Sequence, residues 1–298
     1  MKIFCEGKLK RILITGANSY VGISVESYLK QFGGEYSVDT VDMRYGDWRE
    51  KNFGGYDAVF HVAGIAHSDN GKVNAEKEAK YYSVNTDLAV ETAQKAKADG
   101  VGQFIFMSTI LVYGTGAVIG KKKVIDAETP ASPATCYAKS KLLAEERILP
   151  LADDSFCVSI VRSPMIYGKG SRGNYPLLAK MASELPFFPK VKNERSMLYI
   201  ENLCELVRLL VENRDGGFFY PQNKEYVVTS NMVRAIAEVH GRKMRLLHGC
   251  GPALHLLGKF TPLVNKAFGS LVYDKALSLY RQEYCVADFE ESIIRTEK

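Results

Sequence analysis

Tyr137 and Lys141 stand four positions apart at the head of an amphipathic stretch that continues through Leu142, Leu143, Ala144 and Ile148. On a helix that spacing projects both side chains from one face. An ammonium one turn from a phenol favours the phenolate, so Tyr137 could act as a general base toward a hydroxyl proton. Upstream, Phe104-Ile105-Phe106-Met107-Ser108-Thr109 is an apolar run that ends in two hydroxyls. Ligands of open α/β sheets bind beyond the carboxyl ends of the strands, where Thr109 could bond the oxygen that loses the proton. A third group, Thr15-Gly16-Ala17-Asn18-Ser19-Tyr20-Val21-Gly22, offers no proton chemistry, but its small residues suit close backbone approach to phosphate.

These groups need elements to hold them. Arg11-Ile12-Leu13-Ile14-Thr15 reads as a strand buried on both faces, and residues 23–32 carry helical spacing through Val25, Tyr28, Leu29 and Phe32. In that setting Gly16 permits the tight turn and Gly22 lets the helix pack close to the sheet. The helix start then presents N–H groups and a positive dipole to a pyrophosphate. Ser19 stands where the dinucleotide fingerprint has its middle glycine, which a small residue can replace if its φ stays negative. A second strand, residues 36–41, ends at Asp42, whose carboxylate can accept ribose hydroxyls and would repel a 2′-phosphate. Arg44 pulls the other way, because a guanidinium could grip that phosphate. The cofactor reading is NAD, with NADP as the alternative. A further buried strand from Ala58 ends in the small residues Val62, Ala63 and Gly64.

In order along the chain come Thr15-Gly16-Ala17-x-x-Tyr20-Val21-Gly22, Asp42, Gly46-Asp47, His61-Val62-Ala63-Gly64 and Val84-Asn85. Ser108-Thr109-x-x-Val112-Tyr113-Gly114, Tyr137-x-x-x-Lys141 and Arg162-Ser163-Pro164-Met165-Ile166-Tyr167-Gly168 follow. This ordered set resembles the extended short-chain dehydrogenase/reductases, the NAD-dependent epimerase/dehydratase group that acts on nucleotide sugars. It covers residues 11–168 densely and thins afterwards to Arg195 and Ser270-Leu271-Val272-x-Asp274. The resemblance implies an α/β fold with a Rossmann-type, doubly wound, mostly parallel sheet over residues 1–168. A smaller, irregular substrate domain is expected over 169–298, with some of its segments returning to the sheet.

It also implies roles. Thr109, Tyr137 and Lys141 are the expected catalytic set, with Thr109 aligned by counting back from Val112-Tyr113-Gly114 and Ser108 left to face the cofactor or the core. Cofactor contacts are expected from Gly16, Asn18, Ser19, Tyr20, Val21, Gly22, Asp42, Arg44, Asp47, Val62, Ala63, Gly64, Ser108, Tyr137, Lys141, Pro164 and Met165. Besides Thr109, the substrate would meet Asn174 and Arg195, where the family has an arginine against the diphosphate. The family's second phosphate arginine has no clear counterpart here.

The same residues narrow the reaction. The family's 4,6-dehydratases carry an Asp-Glu pair directly after the catalytic threonine, whereas Ile110 and Leu111 stand here and can neither give nor take a proton. No extra basic or hydroxyl set identifies a decarboxylase. The leading expectation is an NAD-dependent nucleotide-sugar 4-epimerase acting on a UDP-hexose or UDP-N-acetylhexosamine through a transient 4-keto sugar. A 4-keto-sugar reductase using NAD(P)H is the alternative. A non-catalytic dinucleotide-sensing regulator is the distant one, against which the intact Thr109, Tyr137 and Lys141 argue. Met165 stands where UDP-galactose epimerases have an asparagine, and the stretch around it resembles enzymes of capsule and O-antigen sugars.

Composition sets the outer bounds. The 298 residues are 46% hydrophobic and 24% charged, as in an ordinary soluble globular protein, and the net charge of +5 is too small for a nucleic-acid binder. Six dispersed cysteines form no CxxC pair and read as reduced thiols. His240, His248 and His255 show no metal spacing, so no metal is expected. His67 could reach the cleft or sit in an exposed loop. The charged first eight residues lack an apolar core, so neither a signal peptide nor stable membrane insertion is expected, and the reading is cytoplasmic. Lys121-Lys122-Lys123 is expected in a solvated loop. The segment from Ala253 to Val272 is expected to pack on its own substrate domain, with a membrane-surface helix as the second reading. Residues 90–97 form an amphipathic helix at a place where family members pair, which implies a homodimer.

Overall fold

The computed structural model describes residues 9–66, 73–260 and 262–298; Cys5 and His67 lie outside them. The strands are β1 Lys10–Thr15, β2 Tyr36–Val41, β3 Ala58–His61, β4 Gln103–Thr109, β5 Lys122–Ile125 and β6 Cys157–Ser163. They continue with β7 Met165–Tyr167, β8 Phe187–Pro189, β9 Met197–Tyr199, β10 Gly217–Phe219, β11 Arg245–Leu247 and β12 Ser270–Tyr273. The helices are α1 Tyr20–Leu29, α2 Ala75–Tyr82, α3 Leu88–Ala98, α4 Cys136–Ile148 and α5 Tyr175–Glu184. After them come α6 Ile200–Asn213, α7 Thr229–Val239, α8 Gly251–Phe260, α9 Pro262–Phe268 and α10 Phe289–Glu297.

The chain divides into two units. The first takes the residues through Ser108, then Lys139–Arg162 and Cys204–Phe219. Its sheet has the order β2-β1-β3-β4-β6-β10, and β1–β2, β1–β3, β3–β4 and β6–β10 pair in parallel. Ile12, Leu13, Ile14, Val59, Phe60, Phe104 and Phe106 are fully buried, which is why these strands read as continuous apolar runs. From β1 the chain steps outward to β2 and returns to β3 on the other side. The carboxyl ends of β1 and β3 therefore form the switch point at which such sheets bind ligands. Far along the sequence, β10 adds to the edge with Gly217 opposite Ser159.

The second unit takes Thr109–Ala138, Ser163–Leu203 and Tyr220–Lys298. Cys204–Phe219 thus lies with the sheet, and Thr109–Ala138, whose β5 pairs with β12, lies in the second unit. Two more parallel pairs, β7–β9 and β8–β11, complete its strands. Tyr167 anchors the interior, stacked on Tyr175 at 5.5 Å, with its hydroxyl bonded to Ser292 and to Asn223 at 2.6 and 2.9 Å.

One expectation is corrected here and another holds only in part. Lys122 and Lys123 belong to β5, opposite Ser270 and Leu271, since alternation lets a lysine strand face solvent on one side. The segment from Ala253 to Val272 packs on its unit through Phe268, Leu271 and Val272, which are buried, but not through α8: none of that helix's residues is buried, and Leu256, Leu257 and Phe260 are 56%, 50% and 80% exposed. Their spacing puts them on the side turned away from the unit. Among the described residues, no helix is long and apolar enough to cross a membrane.

Candidate active site

The turn after β1 is shaped by two left-handed residues, Gly16 at φ +86° and Asn18 at φ +72°. A β-carbon on Gly16 would lie 2.9 Å from the backbone nitrogen of Ala63, so the loop closes on the end of β3 only because the residue is glycine. Asparagine is among the few other residues that tolerate this region. Ser19 keeps its φ at −78° and caps α1, its hydroxyl oxygen accepting from the Gly22 N–H at 3.0 Å. Serine in the middle position therefore organises the helix start, and a β-carbon on Gly22 would sit 2.7 Å from its oxygen. Tyr20 and Val21 are the first residues of α1, directly at its positive end. This cradle fits a dinucleotide pyrophosphate in geometry and in sign.

Asp42 and Arg44, read as opposing votes on the ribose, are bound to each other. The Arg44 guanidinium donates to the carboxylate at 2.5–3.0 Å, and its backbone N–H donates to the same group at 3.0 Å. These bonds hold the Asp42 carboxyl down at about 2. Asp47 lies exposed in the helical turn Gly46–Arg49. Val62 bonds back to Thr15 at 3.4 Å, and Ala63 is buried against Gly16.

Lys141 is buried, 5% exposed, and its ammonium donates to the Met107 carbonyl oxygen at 2.8 Å from a position over the Phe106 ring. Burial depresses its pKa to about 8, with Glu145 acting in the opposite direction. A β-carbon on Gly64 would crowd both Asn85 Oδ1, at 3.0 Å, and the lysine nitrogen, at 3.4 Å. Asn85 in turn bonds the Ile65 backbone and Ser140, locking the strand end to α4. His61 is fully buried and pushed down to about 3, chiefly by burial, so it stays neutral. Its Nδ1 meets Thr15 Oγ1 at 2.9 Å.

One group escaped the sequence reading. Glu145, 2% exposed, receives the Ser108 hydroxyl and bonds from Arg162, Nε at 3.0 and 3.3 Å and Nη2 at 2.5 Å. Ser108 therefore points into the interior of the first unit, toward Glu145. The available signal was spacing: Tyr137, Lys141 and Glu145 recur every four residues along α4.

The remaining residues belong to the second unit. Thr109, 6% exposed, ends β4, and its oxygen accepts from the Leu111 N–H at 3.2 Å, leaving the hydroxyl hydrogen to be donated. Tyr137 is half-buried on the first turn of α4. Pro164 precedes β7, in which Met165 lies opposite Met197. Asn174 precedes α5 without a side-chain capping bond. Arg195 is half-buried and bridged on both sides, to Val227 and Leu271, while its guanidinium donates to the Gly269 carbonyl at 3.3 Å.

Known proteins are similar to this chain in both sequence and fold. The model of the family described as NAD dependent epimerase/dehydratase matches residues 12–228. A UDP-glucose 4-epimerase of Vibrio cholerae is 30% identical over 249 residues, 76% of this chain and 75% of that protein. An N-acetyl-alpha-D-glucosaminyl-diphospho-ditrans,octacis-undecaprenol 4-epimerase of Escherichia coli O157:H7 is 25% identical over 298 residues, 93% and 82% of the two chains. In fold, the chain is similar to the UDP-glucuronic acid 4-epimerase of Bacillus cereus solved with NAD, at a TM-score of 0.70 and 16% identity over 96% of each chain. Matched from within the first strand up to the residue before α7, the chain belongs to the NAD dependent epimerase/dehydratase family.

Proposed function

We propose that the protein is a 4-epimerase of diphosphate-linked hexoses or N-acetylhexosamines, a UDP-sugar in the first instance, working through a transient 4-keto sugar. The first unit holds NAD on the Gly16–Gly22 turn and Asp42, and the second unit holds the sugar and its diphosphate, with Arg195 as the anion contact. A cytoplasmic homodimer completes the reading, as the family resemblance implies. The observation that carries it is α4, which places Tyr137 one turn before a buried Lys141 fixed to the end of β4.

When bound, NAD supplies the acceptor for the sugar's C4 hydride and returns that hydride. Tyr137 takes the proton from the 4-hydroxyl as phenolate and gives it back at the second step. The Lys141 charge favours that phenolate. Thr109 donates its hydroxyl hydrogen to the same oxygen and steadies it as it becomes a ketone. Ile110 and Leu111 offer no acid or base, so water is not eliminated from the keto sugar. The carrier differs between relatives: the Vibrio protein's name specifies UDP-glucose and the Escherichia protein's a sugar on undecaprenol diphosphate.

Tyr137→Phe tests the assignment. Turnover should fall by roughly 10²–10⁴-fold, the usual worth of a general base, with NAD still retained. Near-normal turnover in this variant would overturn the assigned mechanism. Wild-type protein purified with stoichiometric NAD supports the epimerase, and an empty site filled reversibly by NADPH would move the reading to a 4-keto-sugar reductase.

A further inference from the structure

We propose that α8 is a membrane-docking helix that seats the protein on an anionic phospholipid bilayer, where its diphosphate-linked sugar is presented on a polyprenyl carrier. The choice of carrier rests on the epimerase reading; the docking rests on the surface itself.

At about 100° per residue, Ala253, Leu256, Leu257 and Phe260 fall within an arc of about 100° on α8. A stripe of that width normally faces a core. Here it faces away from the unit, with none of the helix's residues buried. Lys259 borders the arc on one side, while His255, on the opposite face, ties the helix to the unit, so the apolar side is free to lie down in a bilayer interface.

The surroundings are basic. A depression of about 470 Å³ in the same unit is lined by Lys121, Lys122, Lys190 and Lys192, against the single carboxylate of Glu194, which pairs with Lys122. Ser230 also lines it, its hydroxyl buried and without a hydrogen-bond partner among the described residues. The helix is tied to the rim of this depression. His255 Nδ1 meets the Ile119 carbonyl at 3.2 Å, one residue before Gly120. Asn265 donates to the Gly258 carbonyl at 2.7 Å, and its backbone carbonyl accepts the Gly269 N–H at 2.7 Å. The Gly269 carbonyl accepts from Arg195. A chain of hydrogen bonds thus links α8 to the rim of the lysine-lined depression and to Arg195.

A second copy is a poor occupant. A two-fold contact sets the same patch against itself, so four lysines would meet four lysines, and three exposed apolar side chains supply little of the ~800 Å² per partner that stable pairs bury. An anionic bilayer complements both halves of the patch. A nucleotide carrier and a polyprenyl carrier share the diphosphate that Arg195 and the lysines suit. Only the polyprenyl carrier accounts for an apolar helix beside them.

The test is flotation of the full-length protein with vesicles of phosphatidylcholine alone, or containing about one third phosphatidylglycerol. Wild type should float with the anionic vesicles and be partly released by salt. Leu256→Asp/Leu257→Asp/Phe260→Asp should bind at least about tenfold more weakly, with unchanged melting temperature and retained NAD. The variant should also lose turnover of N-acetylglucosamine on polyprenyl diphosphate in those vesicles, and keep turnover of soluble UDP-N-acetylglucosamine. A wild type that stays in the aqueous fraction yet turns over the UDP-sugar overturns docking and leaves the epimerase reading intact. Flotation through α8 with neither sugar epimerised does the reverse. A wild-type dimer that the triple substitution splits, with no flotation, assigns the arc to a second copy and overturns the proposal.

Discussion

The Lys141 ammonium donates to the Met107 carbonyl oxygen at 2.8 Å, deep enough that burial brings its pKa down to about 8. Under the proposed mechanism, turnover should therefore fall on the alkaline side near pH 8, as the charge assigned to favour the Tyr137 phenolate is lost. A pH–rate profile checks this, and in Lys141→Met the limb should vanish along with most of the activity.

The same group has a consequence for stability. Its folded pKa lies below the unfolded value of about 10.4, so the unfolded chain binds the extra proton between those limits. The stability contributed at this site is complete above about pH 10.4 and is lost as pH falls through about 8. Melting temperatures of wild type and Lys141→Met across this window should diverge, the wild type losing relative stability toward lower pH. Parallel curves would contradict the assignment.

Glu145 and Arg162 form a buried pair in which the carboxylate also receives Ser108. Glu145→Ala removes the carboxylate that compensates the buried guanidinium charge, at an expected cost of about 3–5 kcal/mol in denaturant unfolding. Replacing both, as Glu145→Leu with Arg162→Met, should recover most of that loss, because the desolvation cost disappears with the charges.

Gly16→Ala would force a side chain into the left-handed region and within 2.9 Å of the Ala63 backbone. A loss of roughly 1–3 kcal/mol is expected, and NAD retention should be lost with it if this turn is the phosphate cradle proposed above. Calorimetry with and without added NAD separates the two effects.

Cofactor choice should respond to the ion pair at the end of β2. Asp42→Ala frees the Arg44 guanidinium for a 2′-phosphate and should shift the NAD/NADP affinity ratio toward NADP by about tenfold, as one charge-assisted contact warrants. Arg44→Ala should shift it the other way. Fluorescence titration with both reduced cofactors measures the ratio, and no change in either variant would show that the pair does not face the ribose.

Much of the first unit was legible because its code is local. The apolar run at residues 11–15, the glycine turn and the run at 36–41 each state a strand or a helix start within a few residues, and β1, α1 and β2 form there. The spacing of Tyr137 and Lys141 was readable for the same reason: four residues on one helix settle which side chains share a face. The second unit was harder, because short pairs such as β5–β12 join segments far apart in the chain, and no local pattern announces the partner.

By itself, the sequence determined which residues can carry charge and protons, and where glycine is needed for a turn. Only the tertiary structure decided their states. It paired Arg44 with Asp42, turned Ser108 toward Glu145, lowered Lys141 by burial and left the apolar arc of α8 facing outward. Each of these depends on which groups are brought together and how far water is removed from them, and both follow from long-range packing that residue order does not spell out.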